Sequence, residues 1–449
     1  MGNQSGKGTV ANSDRGVKHD NRSNQTVNRL STFFDKILKS NATDHGNVTV
    51  DLHHFKRLFS LDEHFGEKIF SYWLRSFETQ LSVEAMSKEQ FVSFASYIIN
   101  LSTFPDQVQF YFEVFSGGKD SLSSQEFSAL VSLSISLELA KFSKEQKWNS
   151  YQDPVLKSME KSLFNKNETV TKVDFNYWMN RHCPKLVHGF HPYVLSVLYD
   201  SANTEHDVPS GDTFQQVQDE HLLLSLIVLW ALNTYIATSY TTYVESQSSD
   251  TSVLQTHSLA DIIGPGGWQL LYNSNAQGLS LNRFENHVMS YAGSTLTFIE
   301  FEGYLYCAGS DSEWVEKADR WGGSDCFLLQ ILPEYRVMQA GAGLLYLNIQ
   351  DRKLPKGLYF GKDTRSTILQ IDSDFAKVKH YGVETALKRI EVWGCGSHST
   401  YEAQLEQRKW EHKDAEKHKN RKLKLEDWKN NPDRQLLEMG GIQTEHAER

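Results

Sequence analysis

A sequence pattern that is typical of metal-binding loops recurs in the first half of this chain. An apolar residue followed five places later by Phe occurs at Val50/Phe55, Met86/Phe91, Leu122/Phe127 and Val170/Phe175. The first three apolar residues, at positions 50, 86 and 122, are evenly spaced. This interval and this residue pair are typical of EF-hand units, whose loops bind calcium through acidic side chains. The pattern predicts four such units, the fourth displaced by an insertion.

The calcium ligands of these loops are depleted. An EF-hand needs oxygen ligands at loop positions 1, 3 and 5 and a bidentate Glu at position 12. The third loop keeps Glu126 at its last position, and the fourth offers Asn165, Asn167 and Asp174, but neither loop opens with an acid. We therefore expect no cofactor, with these four residues as weak candidates for a calcium site that the sequence does not exclude. The paired hands are then a helical scaffold for protein contacts.

A second group of possible metal ligands follows a predicted helix. His182, Cys183, His188 and His191 lie close together, but their spacing fits no standard zinc module. The neighbouring prolines favour a loop after the helix. The sequence therefore predicts no zinc site here.

The four cysteines are candidates for reactive thiols. Cys183, Cys307, Cys326 and Cys395 are far apart, which is typical of reduced thiols rather than of a disulfide framework. Cys395 lies close to His398, yet a redox nucleophile would also need a lowered pKa and access to solvent. The simpler interpretation is a small buried Cys at the end of a strand.

The elements around these residues divide the chain into a helical and a β-rich part. Apolar residues recur at helical spacing up to about position 243, and residues 246–252 form a Ser-rich linker. Short β-prone runs separated by Gly and Asp turns follow, with Glu302-Gly303 predicted as a two-residue hairpin turn. The apolar run 222–237 (LLLSLIVLWALNTYIA) is too short to cross a bilayer and predicts a buried helix.

Charge and the first residues of the sequence bear on the surface at which the protein acts. The formal net charge of −10 gives no reason to expect nucleic-acid binding. The start Met1-Gly2-Asn3 partly matches the pattern for myristoylation of Gly2. Because one myristoyl chain binds a membrane only reversibly, we expect a protein partner at the membrane to supply further affinity.

The second half resembles the TLDc-domain family. The resemblance rests on residues 267–274 (GWQLLYNS), 278–284 (GLSLNRF), 293–296 (GSTL), 325–329 (DCFLL), 357–361 (GLYFG) and 390–394 (IEVWG). With it, the predicted domains are a flexible arm at 1–27, a helical EF-hand-like domain at 28–245, a TLDc domain at 253–396, a charged helix at 399–430 and a tail at 431–449. The resemblance implies an α+β protein with a β-sandwich flanked by helices.

The resemblance also implies a function. It implies a non-catalytic adaptor that binds subunits of the vacuolar proton-pumping ATPase and components of mTOR growth signalling. The expected location is the cytoplasmic face of the lysosomal membrane, held peripherally, and also the cytoplasm. Two alternatives stay open: a peroxide-protective TLDc protein that uses a reactive cysteine, Cys395 or Cys326, and a calcium-responsive sensor.

Four residues are the candidates for partner binding. Glu391 and Trp393 are two positions apart on a predicted strand and so point to the same face. Together they form either a structural hydrogen-bonded pair or part of a docking patch. Trp410 and Trp428 lie in the charged helix, which has too few apolar residues to join a core. Their indoles predict a partner groove for this helix.

Overall fold

A helical region, two antiparallel sheets and a final helix follow one another along the computed structural model, which confirms the predicted α+β fold. The structure describes residues 14–39, 49–77, 85–139, 153–199, 222–241, 267–363 and 367–419, together with 259, 262, 436, 439 and 440. Gly2, Trp428 and the first half of each of the first two EF-hand-like loops lie outside these residues.

The helical region begins its helices at polar residues that the sequence supplies. Its described helices are α1 (Asp14–Lys39), α2 (Leu52–Leu58), α3 (Glu63–Phe77), α4 (Lys88–Ile99), α5 (Phe104–Phe115), α6 (Ser124–Leu139), α7 (Pro154–Phe164), α8 (Lys172–His182), α9 (Phe190–Leu198) and α10 (Leu226–Asn233). The side chains of Ser87, Thr103 and Thr171 accept backbone N–H groups of the first turns of α4, α5 and α8. Such caps satisfy donors that have no partner within the helix.

The EF-hand-like units that the spacing predicts pair two by two. Strand β1 (Val50–Asp51) pairs with β2 (Ala85–Met86), and β3 (Ser121–Ser123) pairs with β4 (Thr169–Thr171). In this register Val50 lies opposite Met86, and Leu122 lies opposite Val170. The apolar residues of the repeat therefore meet across each pair, and the architecture of paired hands is kept.

Helix α1 begins within the segment predicted as a flexible arm. The sequence placed the boundary at residue 28, whereas the helix starts at Asp14. Apolar residues such as Leu30 and Phe34 anchor its second half in the core. Once a helix is nucleated, each further residue adds a hydrogen bond, so the helix extends into polar sequence.

The β-rich part consists of two sheets. Its strands are β5 (Gln269–Asn273), β6 (Thr295–Phe301), β7 (Tyr304–Ser310), β8 (Phe327–Leu332), β9 (Arg336–Ala340), β10 (Leu345–Asn348), β11 (Gly357–Phe360), β12 (Leu369–Ile371), β13 (Lys377–His380), β14 (Val383–Ala386) and β15 (Arg389–Gly394). One sheet has the order β5-β15-β6-β7-β8-β9 and the other the order β10-β11-β12-β13-β14, with antiparallel neighbours throughout. Three further helices are α11 (Ser274–Gln277), α12 (Leu281–Val288) and α13 (His398–Lys419).

The predicted hairpin between β6 and β7 is confirmed. Glu302 and Gly303 have φ angles of 39° and 79°, and Phe301 lies opposite Tyr304. Positive φ at both central residues defines the turn whose twist matches that of the flanking strands.

The six-stranded sheet is buried on both faces. Phe298, Cys307 and Leu329 belong to one apolar cluster with the helical region, whereas Ile299 and Leu328 belong to a second cluster with the five-stranded sheet. Alternating side chains of a strand point to opposite faces, so each strand serves both clusters. The helices and the two sheets thus form successive layers, with the six-stranded sheet in the middle.

The apolar run at 222–237 is the centre of the layer between helices and sheet. It forms α10, in which Leu229, Trp230 and Leu232 are buried. The Tyr335 hydroxyl, next to β9, donates to the carbonyl of Ala231 (2.8 Å). This confirms the prediction of a buried helix, and no helix within the described ranges has the length and apolarity needed to cross a membrane.

A histidine also joins the helices to this sheet. The Val337 N–H of β9 donates to Nδ1 of His182 at the end of α8 (3.0 Å). His182 is buried, and burial, with the charges of Arg181 and Arg336, lowers its pKa to about 4. Only the neutral ring has a nitrogen that accepts this hydrogen bond.

The neutral state of His182 makes the free energy of unfolding depend on pH. In the unfolded chain the imidazole has its ordinary pKa of about 6.5, so below that pH unfolding takes up a proton that the fold does not bind. The contribution of neutral His182 to the free energy of unfolding is therefore fully present above pH 6.5 and is lost as the pH falls from 6.5 to 4. In His182→Gln this loss should be smaller by about 1 kcal/mol, allowing for solvent screening. Urea unfolding at several pH values measures it.

The matched control is His53→Gln, on the exposed side of α2. It should keep the pH dependence of the parent protein. An equal pH dependence in His182→Gln and the parent would show that His182 is not the titrating group.

Candidate functional site

The third EF-hand-like loop balances its acidic residue with lysines of its own chain. Both the N–H and the hydroxyl of Ser123 donate to Oε2 of Glu126 (2.8 Å each), and Lys119 Nζ lies 3.4 Å from Oε1. Burial would raise the pKa of Glu126, but these hydrogen bonds and the Lys119 charge hold it below its usual value. Lys68 of α3 donates to the carbonyl of Phe115, where the loop begins (3.4 Å). Lysines thus contact two loop positions that provide calcium ligands in an EF-hand.

The candidate ligands of the fourth loop serve as helix ends. Asp174 accepts a hydrogen bond from the Thr171 hydroxyl (2.7 Å), which in turn accepts the Asp174 N–H (3.2 Å) at the start of α8. Asn165 ends α7 in the left-handed conformation (φ 43°), and the Asn167 N–H donates to the carbonyl of Phe164. Among the described residues no group of three or more His, Cys, Asp or Glu side chains could hold a metal.

Glu391 connects the TLDc-like sheet to the helical region. Its Oε2 accepts the N–H of Leu223 (2.8 Å), and its Oε1 accepts the N–H of Leu224 (3.3 Å) and Nε1–H of Trp393 (2.6 Å). Glu391 is 2% exposed and Trp393 is fully buried. We call this set of contacts among Glu391, Trp393, Leu223 and Leu224 the carboxylate clasp. It attaches strand β15 to the backbone just before α10.

The carboxylate clasp changes the interpretation of the predicted docking patch. Burial raises the pKa of Glu391, while the hydrogen bonds from Leu223, Trp393 and Leu224 oppose that shift. Because both side chains are consumed by contacts within the chain, they present no surface to a partner in this conformation. Of the two readings that the sequence left open, the geometry favours the structural hydrogen-bonded pair.

None of the four cysteines has the features of a reactive thiol. All four are buried, and burial raises the pKa of each: to about 12 for Cys326 and well above the ordinary value for Cys183, Cys307 and Cys395. The ring of His398 is exposed and lies 3.4 Å from Glu402. Nucleophilic thiols need a lowered pKa and access to solvent, and these thiols have neither.

The first half of helix α13 packs against the end of helix α12. Gln404 is 1% exposed, and its Nε2 donates to the carbonyls of His287 and Met289 (3.1 Å each) at the end of α12. Arg408 also donates to the carbonyl of His287. Tyr401, one turn earlier, packs against the apolar cluster between the two sheets. Positions 401, 404 and 408 share one helix face, which is the face that binds.

The second half of α13 leaves that surface. Trp410 is 67% exposed and lies about 180° around the helix from Tyr401. Most of the described side chains that follow it up to position 417 are exposed as well. Trp410 is therefore available to a partner, whereas Trp428 lies outside the described residues.

Sequence reasoning missed the residues that give these sites their character. Lys119 stands at loop position 5, where an EF-hand carries a ligand, and this was a readable signal against calcium. The contact of Glu391 with Leu223 carries no local signal, because the two residues are 168 positions apart and the donor is backbone. The role of His182 was likewise invisible next to the rejected zinc pattern.

Comparison with known proteins identifies the β-rich part. Residues 249–396, which include both sheets, match the family model of the TLDc domain. The chain therefore carries a TLDc domain, as its sequence blocks predicted.

Outside the family model, two relatives are similar to this chain. MTOR-associated protein MEAK7 of mouse is 26% identical over 149 residues, a match that covers 29% of this chain and 32% of the relative. The chicken protein of the same name is 25% identical over 113 residues, covering 24% of each chain. The matches thus span a third or less of the relatives' length.

The carboxylate clasp predicts a stability effect at one side chain. Glu391→Ala leaves the N–H groups of Leu223, Leu224 and Trp393 without their acceptor, so the free energy of unfolding should fall by about 3 kcal/mol. Glu391→Gln keeps one acceptor oxygen and should lose less. Urea denaturation followed by tryptophan fluorescence measures both.

The control for this prediction is Glu384→Ala on β14, where the carboxylate is exposed and contacts only Lys377 and Lys379 in the described structure. Its unfolding midpoint should be unchanged. A midpoint equally unaffected in Glu391→Ala would mean that the clasp does not hold the two parts together.

The third loop predicts the response to calcium. Because lysines already balance Glu126, titration calorimetry of the full chain should detect no calcium binding tighter than about 10⁻³ M. Glu126→Gln should give the same result. Saturable micromolar binding that disappears in Glu126→Gln would contradict this reading and restore the calcium-sensor alternative.

Proposed function

We propose that this protein is a non-catalytic TLDc adaptor of growth signalling. The observation that carries the proposal is the docked helix α13, which fixes its first turns to the TLDc domain and presents Trp410 to solvent. A rigidly anchored helix with an exposed indole has the composition of an interaction hot spot. Glu391, a carboxylate buried in the TLDc domain, serves contacts within the fold.

The partners follow from similarity and are the specific part of the proposal. The relatives bear the name MTOR-associated protein, which supports partners in mTOR signalling for this chain. From the resemblance we further propose the vacuolar proton-pumping ATPase as the partner of α13 and the TLDc domain. Peripheral attachment to the cytoplasmic face of the lysosomal membrane, with Gly2 as a lipid acceptor, completes the proposal.

The peroxide-protective alternative is less well supported. It needs a reactive cysteine, and Cys326 and Cys395 are both buried with raised pKa values. At neutral pH such thiols hold almost no thiolate. The adaptor proposal requires no titrating group at all.

The proposal is tested with two variants of the full chain. Trp410→Ala should weaken binding to the purified proton-pumping ATPase by about tenfold or more, since buried Trp anchors often carry 2 kcal/mol of an interface. Gly2→Ala should keep that affinity but move the protein from the lysosomal membrane to the soluble fraction of cells. Immobilised ATPase and cell fractionation give the two readouts.

The matched control is Tyr177→Ala, which removes an aromatic ring of similar exposure from α8. It should bind the ATPase as the parent chain does. Unchanged ATPase affinity in Trp410→Ala would refute the role of α13, and no ATPase binding by the parent chain would refute the proposed partner.

A further inference from the structure

A pocket of about 280 Å³ opens between the two pairs of EF-hand-like units. It lies where the ends of α3 and α5 meet the third loop and the start of α8. Its charged lining residues are Arg75, Lys119, Lys172, Glu113 and Asp120, and two aromatic rings, a serine and a glycine complete the wall. Three cations from three different elements thus outnumber two carboxylates around one cavity.

The two lysines of the pocket are only loosely paired. Lys119 Nζ lies 3.4 Å from Glu126, and Lys172 Nζ lies 3.5 Å from Glu113. Charge-assisted hydrogen bonds between ammonium and carboxylate groups are usually 2.7–2.9 Å long. Both ammonium groups therefore keep donors for a further acceptor.

Arg75 is the third cation of the pocket. In the described part of the chain its guanidinium has neither a hydrogen-bond acceptor nor an ion-pair partner. Arg75 is exposed as a whole, and the partial desolvation of its guanidinium lowers its pKa, although a guanidinium remains charged at any physiological pH. Water therefore solvates this guanidinium in the free protein, and its N–H donors are available to an anion that enters the pocket.

Gly118 leaves space for this guanidinium at the pocket wall. Gly118 has a φ of 78°, and a Cβ on it would lie 3.2 Å from Nε of Arg75. A side chain at this position would be strained by the backbone conformation and would press on the guanidinium. The third loop thus places Gly118 and Lys119 at the pocket, and Lys119 stands at a position that provides a calcium ligand in an EF-hand.

We propose that this pocket binds a phosphate group, with Arg75 as the main contact and Lys119 and Lys172 beside it. A phosphate offers three acceptor oxygens and up to two charges, which suits a planar arginine fork and two ammonium groups from separate elements. A carboxylate offers two oxygens in one plane and would leave a lysine unused. The cavity is large enough for a phosphate with a sugar-sized ring attached. The third loop would then contribute Lys119 to an anion site beside the loop, rather than carboxylates to a calcium site within it.

Calorimetry on the full chain in low-chloride buffer tests this proposal. The soluble probes are inorganic phosphate and inositol hexakisphosphate, and the membrane probe is a phosphatidylcholine vesicle with or without a phosphorylated inositol lipid. We expect saturable binding of at least one phosphate-bearing probe that weakens as salt is added. Arg75→Gln should lower the affinity about tenfold or more, and Lys172→Gln by a few-fold.

The matched control is Arg29→Gln, which removes the same charge from the exposed face of α1. It should bind as the parent does, and Arg75→Lys, which keeps the charge but not the fork, should be intermediate. Binding of the soluble probes identifies a free phosphate ester as the source, and binding of the phosphorylated vesicles alone identifies a lipid headgroup. No binding of any probe, or equal binding by parent and Arg75→Gln with the same melting temperature, overturns the proposal.

Discussion

The burial of α10 between the helical region and the six-stranded sheet is the constraint on which the structure depends. Its apolar residues and one face of the sheet form a single cluster, so neither part can bury its own apolar surface alone. The carboxylate clasp and the contact of His182 with Val337 then fix how the two parts are oriented. Apolar burial supplies the free energy of this junction, and the polar contacts supply its geometry.

Local sequence signals predicted much of this fold. The even spacing of Val50, Met86 and Leu122 predicted EF-hand-like units, and Glu302-Gly303 predicted a turn that the structure contains. The TLDc blocks predicted the nature of the β-rich part. The hairpin turn depends on residues close together in sequence, whereas the repeat and the TLDc blocks depend on the order and spacing of short segments.

The remaining features depend on contacts that no local signal carries. Strands β13 and β14 carry little local signal, because Lys377–His380 and Val383–Ala386 are short and partly polar. For Glu391 the sequence left a structural pair and a docking patch open, and it carried no signal for the contact with Leu223, because the partner is backbone rather than a recognisable side chain. At the third loop, the loss of acids was readable, but the arrival of Arg75 from α3 required the tertiary structure.

The anchoring of α13 at one end sets a length as well as a contact. Gln404 and Arg408 hold the helix at the end of α12, and the helix continues to Lys419. At 1.5 Å per residue, the part beyond Arg408 reaches about 16 Å from its last point of attachment. A protein that binds both the TLDc surface and the far end of α13 must therefore present two contact sites separated by that distance. The length of α13 thus constrains the shape of its partner.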